Sequence, residues 1–159
     1  MSVRIGFGFD VHQLVEERPL ILGGIPIPFS KGLSGHSDAD VIIHAICDAL
    51  LGAAGLRDIG FHFPDTDKQY KNIDSKELLR EVVHQLAGKN YKVGNIDVTL
   101  CLEQPRINPH IPAMKKALAD VIGISEEDIS IKATTNERLG YIGRGEGAAA
   151  YAVALIESV

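Results

Sequence analysis

Three side chains able to share one metal ion stand at Asp10, His12 and His44. Asp10 and His12 lie two apart in GFGFDVH, and alternate residues of a strand share a face. Ile5, Phe7, Phe9 and Val11 then point one way, and Gly6, Gly8, Asp10 and His12 the other. The apolar face is expected to pack, leaving the bare face to end in the two ligands. His44 lies in HSDADVIIHAICDAL, where apolar residues 41, 42, 45, 46, 49 and 50 recur with helical spacing. Ser37 followed by Asp40 reads as an N-cap with an acidic third residue. Asp40, His44 and Asp48 fall on one stripe of that helix, and burying such a stripe is costly unless each group is hydrogen-bonded or coordinated. Two neutral imidazoles and a carboxylate suit zinc, and three protein ligands leave open the fourth position of a catalytic site. Spacing alone also allows a satisfied core histidine at 44 and a turn carboxylate at 10.

The elements that would hold these groups can be read in order. After a strand at 3–9, ILGGIPIPF predicts a hairpin around Gly23 and Gly24, with Pro26 and Pro28 suited to a sheet edge. A first helix runs from near Ser37 to GAAGL, and RDIGFHFPDTDKQYKNI is too rich in Gly, Pro and Asp to be regular. Asp74 with Glu77 caps a second helix that Gly88 ends, and YKVGNIDVTLCLE is a long alternating strand. Asn108 and Pro109 open a third helix closed by Gly123, and strands at about 129–134 and 148–157 flank RLGYIGRGEG. The expected fold is α+β, a two-layer sandwich with a β-α-β-α-β-β core, a mixed sheet and an extra N-terminal hairpin. Without a linker, repeat or composition shift, residues 1–159 read as a single domain.

Composition narrows the class further. A formal charge of −5 disfavours nucleic-acid and anionic-membrane surfaces, so a phosphorylated substrate would need cations to offset repulsion. Cys47 and Cys101 have neither zinc-finger nor redox spacing and read as small buried hydrophobes. No apolar run approaches the roughly 20 residues of a membrane span and the N-terminus lacks a signal-type core, which predicts a cytoplasmic protein.

The segments GFGFDVH, GLSGHSDADVIIHAICDALLGA, DIGFHFPDTD, PHI and KATTNERLGYIGRGEG, in this order and spacing, resemble the 2-C-methyl-D-erythritol 2,4-cyclodiphosphate synthase family across essentially the whole chain. The resemblance implies cyclisation of 4-diphosphocytidyl-2-C-methyl-D-erythritol 2-phosphate with release of CMP, in the non-mevalonate isoprenoid pathway. It also implies a homotrimer with active sites between neighbouring subunits. Asp10, His12 and His44 match the family's Zn²⁺ ligands, and Glu137 matches the residue that holds a second cation, Mg²⁺ or Mn²⁺. His36 and Thr135 match the stabilisers of the transferring phosphate, and Ser37 lies beside His36.

Asp58, Ile59 and Gly60, with Phe63, Pro64, Asp65, Thr66 and Asp67, match the segments around the methylerythritol diol and carbon chain. Leu102, Glu103, Gln104, Pro105, Arg106, Ile107 and Asn108, with Thr134 and Thr135, match the cytidine pocket. Asn136, Tyr141 and Arg144 complete the substrate-facing set. Asp48 reads as structural support, and His62 and His84 as surface residues. Arg106 stands where lysine is usual, Asn136 and Arg138 where threonine and lysine are frequent, Tyr141 where phenylalanine often sits, and Phe7 where many relatives carry histidine. In a trimer, Phe7 and Phe9 would wall an axial cavity ending in a ring of Arg144, a seat for a prenyl diphosphate. A non-catalytic metal-stabilised trimer that binds prenyl diphosphate and a metal-dependent phosphohydrolase stand as alternatives.

Overall fold

The computed structural model describes residues 1–159. The first strand, β1 (Val3–Glu16), outruns the expected 3–9 because residues 3–13 pair antiparallel with the last strand and 14–16 with a short strand at Lys31–Leu33. The predicted hairpin forms as β2 (Leu20–Leu22) and β3 (Ile25–Ile27), a separate two-stranded sheet, and Lys31–Leu33 becomes β4. Then come helix α1 (Val41–Ala53), the single turn α2 (Ile59–His62), α3 (Ser75–Gly88), β5 (Tyr91–Cys101), α4 (Ile111–Ile122), β6 (Ile129–Thr134), the single turn α5 (Gly140–Gly143) and β7 (Gly147–Ser158). The main sheet is mixed, with order β4-β1-β7-β5-β6 and only β5 and β6 parallel. As in the element-by-element reading of the sequence, two long helices separate β1 from β5. The β-α-β-α-β-β order is therefore corrected to one in which α1 and α3 are consecutive.

The faces of β1 are the reverse of those expected. Gly6 and Gly8 point at α1, where a Cβ would lie 1.9 Å from the carbonyl oxygens of Ala49 and Ala45. Opposite them in β7 stand Ala154 and Ala152, so the helix rides close on a surface of glycine and alanine. That approach sets His44 against Asp10, and it buries α1 in one core of 36 residues. Ile5 and Phe7 are instead 72% and 63% exposed, and Phe9, Val11, Tyr151 and Val153 share their outward face. Phe9 packs on Tyr151 across the strands, with ring centroids 5.1 Å apart.

The start of α1 also differs from expectation. Ala39 has φ 58, outside the helical region, so Ser37 cannot open the helix. Asp40 caps it by accepting the Ile43 N–H at 3.1 Å. Its carboxylate is fully buried and also takes the N–H groups of Gly23 and Gly24, at 3.0 and 2.7 Å, pinning the hairpin turn to the helix. Burial, and then the nearby charge of Asp38, raise its pKa to about 6 despite these three donors. Asp74 caps α3 as predicted, accepting the Lys76 N–H. Asn108–His110 forms a 3₁₀ turn, so α4 begins only at Ile111. No helix is long and apolar enough to cross a membrane.

Candidate metal centre and substrate cavities

At the end of the glycine face of β1, Asp10 Oδ2 lies 2.8 Å from His12 Nε2 and 3.0 Å from His44 Nδ1, and the two nitrogens are 3.1 Å apart. The outer atoms of both rings determine what these inner nitrogens carry. His12 Nδ1 lies 2.8 Å from the Ser34 carbonyl oxygen, which can only accept, so Nδ1 bears the proton and Nε2 presents a lone pair. His44 Nε2 lies 3.0 Å from Ser75 Oγ, whose own hydroxyl donates to Asp38 Oδ1 at 2.5 Å, so Nε2 donates and Nδ1 presents a lone pair. Two lone pairs and a carboxylate oxygen therefore converge on one point.

Such a cluster repels itself unless a cation or proton sits within it. Four-coordinate zinc with bonds of roughly 2.0–2.1 Å needs donors about 3.3 Å apart, close to the separations found, so the donor set and its spacing fit zinc. Without a cation, the alternative is protons on the inner nitrogens: burial opposes ionisation of Asp10, yet the hydrogen bonds and charges of histidines protonated there bring its pKa down to about 2. It is thus a carboxylate at any working pH, the form a metal takes. His12 is also partly desolvated, but Asp10 raises its pKa above the usual histidine value.

The backbone around the centre is tied down as well. Arg18 donates to the carbonyls of Gly35 and Ser37, at 3.1 and 2.5 Å, and holds the segment that bears Ser34, His36 and Ser37. His36 Nε2 donates to the Asp67 carbonyl at 2.9 Å, tethering the following loop.

Beside the centre, a cavity of about 480 Å³ is lined by His12, His36, Ser37, His44, Ile59, Gly60, Phe63, Pro64, Asp65 and Thr66, all anticipated from sequence, together with Gly35, Tyr70 and Leu78. Tyr70 stacks edge-on against Phe63 with ring centroids 5.4 Å apart, a contact without a sequence signal. Asp48 has a specific role here. Its Oδ1 accepts the Ile59 N–H at 2.8 Å, capping α2 in place of Asp58, whose side chain makes no cap bond. Asp58 is exposed and its carboxylate is available to a ligand. His62 is half-buried rather than a plain surface residue, because Nε2 donates to the Leu56 carbonyl at 2.6 Å, whereas His84 is exposed.

A second cavity, of about 530 Å³, lies at the carboxyl ends of the parallel pair β5 and β6. It is lined by all of Leu102–Asn108, by Ala133, Thr134 and Thr135, and by Phe29, which sequence reasoning passed over. Asn136 N–H donates to Glu103 Oε2 at 3.2 Å and joins its two loops. Leu139 N–H returns to the Asn136 carbonyl, closing a tight turn with φ 52 at Glu137 and 63 at Arg138. Glycine at 143 is required beneath it, since a Cβ there would fall 2.1 Å from the Arg138 carbonyl carbon. The turn leaves Glu137 exposed.

Within one chain, the anticipated residues fall around two cavities that share no lining residue. Tyr141 borders a third hollow with His12 and Glu146. Arg144 is exposed, ion-paired to Glu146 at 2.9 Å, and lines a fourth with Lys31 and Glu103. Of the cysteines, Cys47 is fully buried and Cys101 partly so.

Residues 3–157 match the YgbB family. A Bacteroides thetaiotaomicron protein named 2-C-methyl-D-erythritol 2,4-cyclodiphosphate synthase is 64% identical over 157 residues, 99% of each chain. A like-named Cytophaga hutchinsonii protein is 60% identical over 98% of each. Among solved structures, a 2C-methyl-D-erythritol-2,4-cyclodiphosphate synthase in its CDP-bound form superposes with TM-score 0.89 at 37% identity, covering 97% of this chain and all of its own. The bifunctional IspDF of Campylobacter jejuni superposes with TM-score 0.96 at 40% identity, over 99% of this chain and 43% of the longer one. With its fold and the Asp10, His12 and His44 cluster in place, the chain belongs to the YgbB family, that of the 2-C-methyl-D-erythritol 2,4-cyclodiphosphate synthases.

Proposed function

We propose that this chain closes 4-diphosphocytidyl-2-C-methyl-D-erythritol 2-phosphate into 2-C-methyl-D-erythritol 2,4-cyclodiphosphate and releases CMP, with residues 1–159 as one catalytic domain. The observation that carries this reading is the convergence of two imidazole lone pairs and the Asp10 carboxylate at the wall of a cavity of about 480 Å³. An oxygen of the 2-phosphate attacks the β-phosphorus, the bond from that phosphorus to the oxygen bridging the α-phosphate breaks, and its electron pair leaves with CMP. No water is consumed, which makes the enzyme a phosphorus–oxygen lyase. Positioning and charge neutralisation supply most of the catalysis in such a transfer.

Asp10, His12 and His44 would hold Zn²⁺, which when bound supplies a Lewis acid and template for a phosphate oxygen. Glu137 would hold Mg²⁺ or Mn²⁺ beside the α- and β-phosphates, since oxygen donors favour those ions. His36 and Thr135 steady the transferring phosphate, beside Ser37. Asp58, freed from capping by Asp48, accepts hydrogen bonds from the diol hydroxyls, while Ile59, Gly60 and Phe63–Asp67 enclose the carbon chain. Leu102–Asn108 with Thr134 and Thr135 seat the cytidine. The CDP-bound state of one solved relative and the CDP complex of the Plasmodium falciparum relative support a cytidine diphosphate ligand.

Separate cavities and an uncovered apolar face on β1 and β7 favour a homotrimer in which one chain's metal centre meets a neighbour's cytidine pocket. In that assembly Phe7 and Phe9 would wall the axial cavity and Arg144 would seat a prenyl diphosphate. Calorimetry of farnesyl diphosphate against wild type and Arg144→Ala tests that seat, and equal affinity would remove it. The relatives lend no support to a non-catalytic module or a phosphohydrolase. Incubating the protein with the cytidine diphosphate substrate, Zn²⁺ and Mg²⁺ should yield CMP and the cyclic diphosphate in equal amounts; hydrolysis products alone would contradict the proposal.

A further inference from the structure

His44 Nε2 has two hydroxyl neighbours, Ser37 Oγ at 3.1 Å and Ser75 Oγ at 3.0 Å. They are not equivalent. A hydroxyl both donates and accepts, so Ser37, which takes the Ala39 N–H on its oxygen, remains free to donate its proton to Nε2 or to accept one from it. With Ser37 alone, His44 could carry its proton on Nδ1 and donate it to Asp10, 3.0 Å away, and the lone pair needed by a metal would be turned outward. Ser75 removes that freedom. Its hydroxyl is committed to Asp38 Oδ1 at 2.5 Å, and the other Asp38 oxygen takes the Ser75 N–H at 3.0 Å, so the serine is gripped from both sides. Ser75 Oγ can then only accept from Nε2. The serine is fully buried, which keeps water from supplying an alternative partner.

We infer that Asp38 and Ser75 are positioning residues that hold His44 as its Nε2–H tautomer and so turn the Nδ1 lone pair onto the metal. The inference rests on the metal-centre reading of Asp10, His12 and His44. The pair also joins the loop before α1 to the first residue of α3, so the tautomer is set by the packing of two elements 37 residues apart in sequence. Partners of this kind, one step behind a ligand, typically change metal affinity 10–100-fold when lost.

The test uses the metal-free protein at about pH 8, above the ordinary histidine range, with ¹⁵N shifts of the imidazole nitrogens as readout and competition with a chromophoric chelator for Zn²⁺ affinity. Wild type should show His44 Nε2 and His12 Nδ1 protonated, with the additional proton that the metal-free cluster takes up shared among Asp10 and the two inner nitrogens. Ser75→Ala keeps the backbone bond to Asp38 and should move His44 to the Nδ1–H form or a mixture, leave His12 unchanged and weaken zinc about 10–100-fold. Asp38→Asn frees the Ser75 proton and should act in the same direction, whereas Ser37→Ala should leave the tautomer as it is. An unaltered His44 tautomer with unaltered zinc affinity in both Ser75→Ala and Asp38→Asn would overturn the inference. If wild type took up no zinc while Ser75→Ala still moved the tautomer, the metal reading would fall and the positioning role would stand.

Discussion

His44→Ala deletes one of three atoms that converge within 3.1 Å of one another, and it should reduce bound zinc from about one equivalent per chain to none. CMP formation should fall about a thousandfold, since a Lewis acid contributes several kcal/mol to the transition state. Circular dichroism should stay unchanged, because the helix bearing His44 is anchored by its alanine and isoleucine contacts; full activity in a zinc-free variant would contradict the assignment. Glu137→Gln should lower kcat by at least about tenfold and leave KM nearly unmoved, because its charge matters as negative charge shifts onto the leaving CMP. Equal changes in both would argue against a cation-holding role. Asp10 and His12 were legible because a period of two is a local property. Ser75 and Asp38 were not, since a hydroxyl and a carboxylate 37 residues apart carry no pattern that announces their meeting.

Elements are joined here by close approach and by one buried carboxylate. Gly8→Ala would place a methyl 1.9 Å from the Ala45 carbonyl, in backbone that cannot rotate away, so urea unfolding should show a loss of at least about 2 kcal/mol. Unchanged stability would mean that α1 does not ride on the glycine face. Asp40 has a pKa raised from 3.8 to about 6, so the folded chain holds its proton more tightly than the unfolded one. Its contribution is fully present below about pH 3.8 and lost as pH rises through about 6. The cost of Asp40→Asn should therefore be greatest near pH 4 and shrink by up to about 3 kcal/mol by pH 7; a cost that grows with pH would refute the sign. The helix itself was legible from its apolar spacing, but its cap was misassigned because a Ser-x-x-Asp pattern resembles a cap while a positive φ at Ala39 is invisible in sequence. The face of β1 was misassigned for a related reason. Hydrophobicity marks the stickier face, whereas contact with α1 here selects the smaller residues.

At the scale of the whole molecule, the residues assigned to the metal centre and to the cytidine line two cavities without a common residue, and the proposed trimer would bring one chain's metal centre to a neighbour's cytidine pocket. If the chain assembles as the proposed homotrimer, mixed trimers of His44→Ala with Thr135→Ala should regain about one quarter of wild-type activity, since random assembly leaves that share of shared sites intact. Absence of recovery would mean that each chain carries its whole site. Phe7→Glu should shift the sedimenting species towards monomer by placing charge on the uncovered face, and an unchanged sedimentation profile would exclude that face from the proposed interface. Strand order and the parallel β5–β6 pair could not be read from periodicity, because pairing is decided between distant segments, and with them went the separation of the two cavities. The central claim is that the phosphate oxygen of the substrate itself, and not water, attacks the β-phosphorus. The most direct test is turnover in H₂¹⁸O followed by mass spectrometry and ³¹P NMR. CMP and cyclic diphosphate free of label are the predicted result, and ¹⁸O in any phosphate product would contradict it.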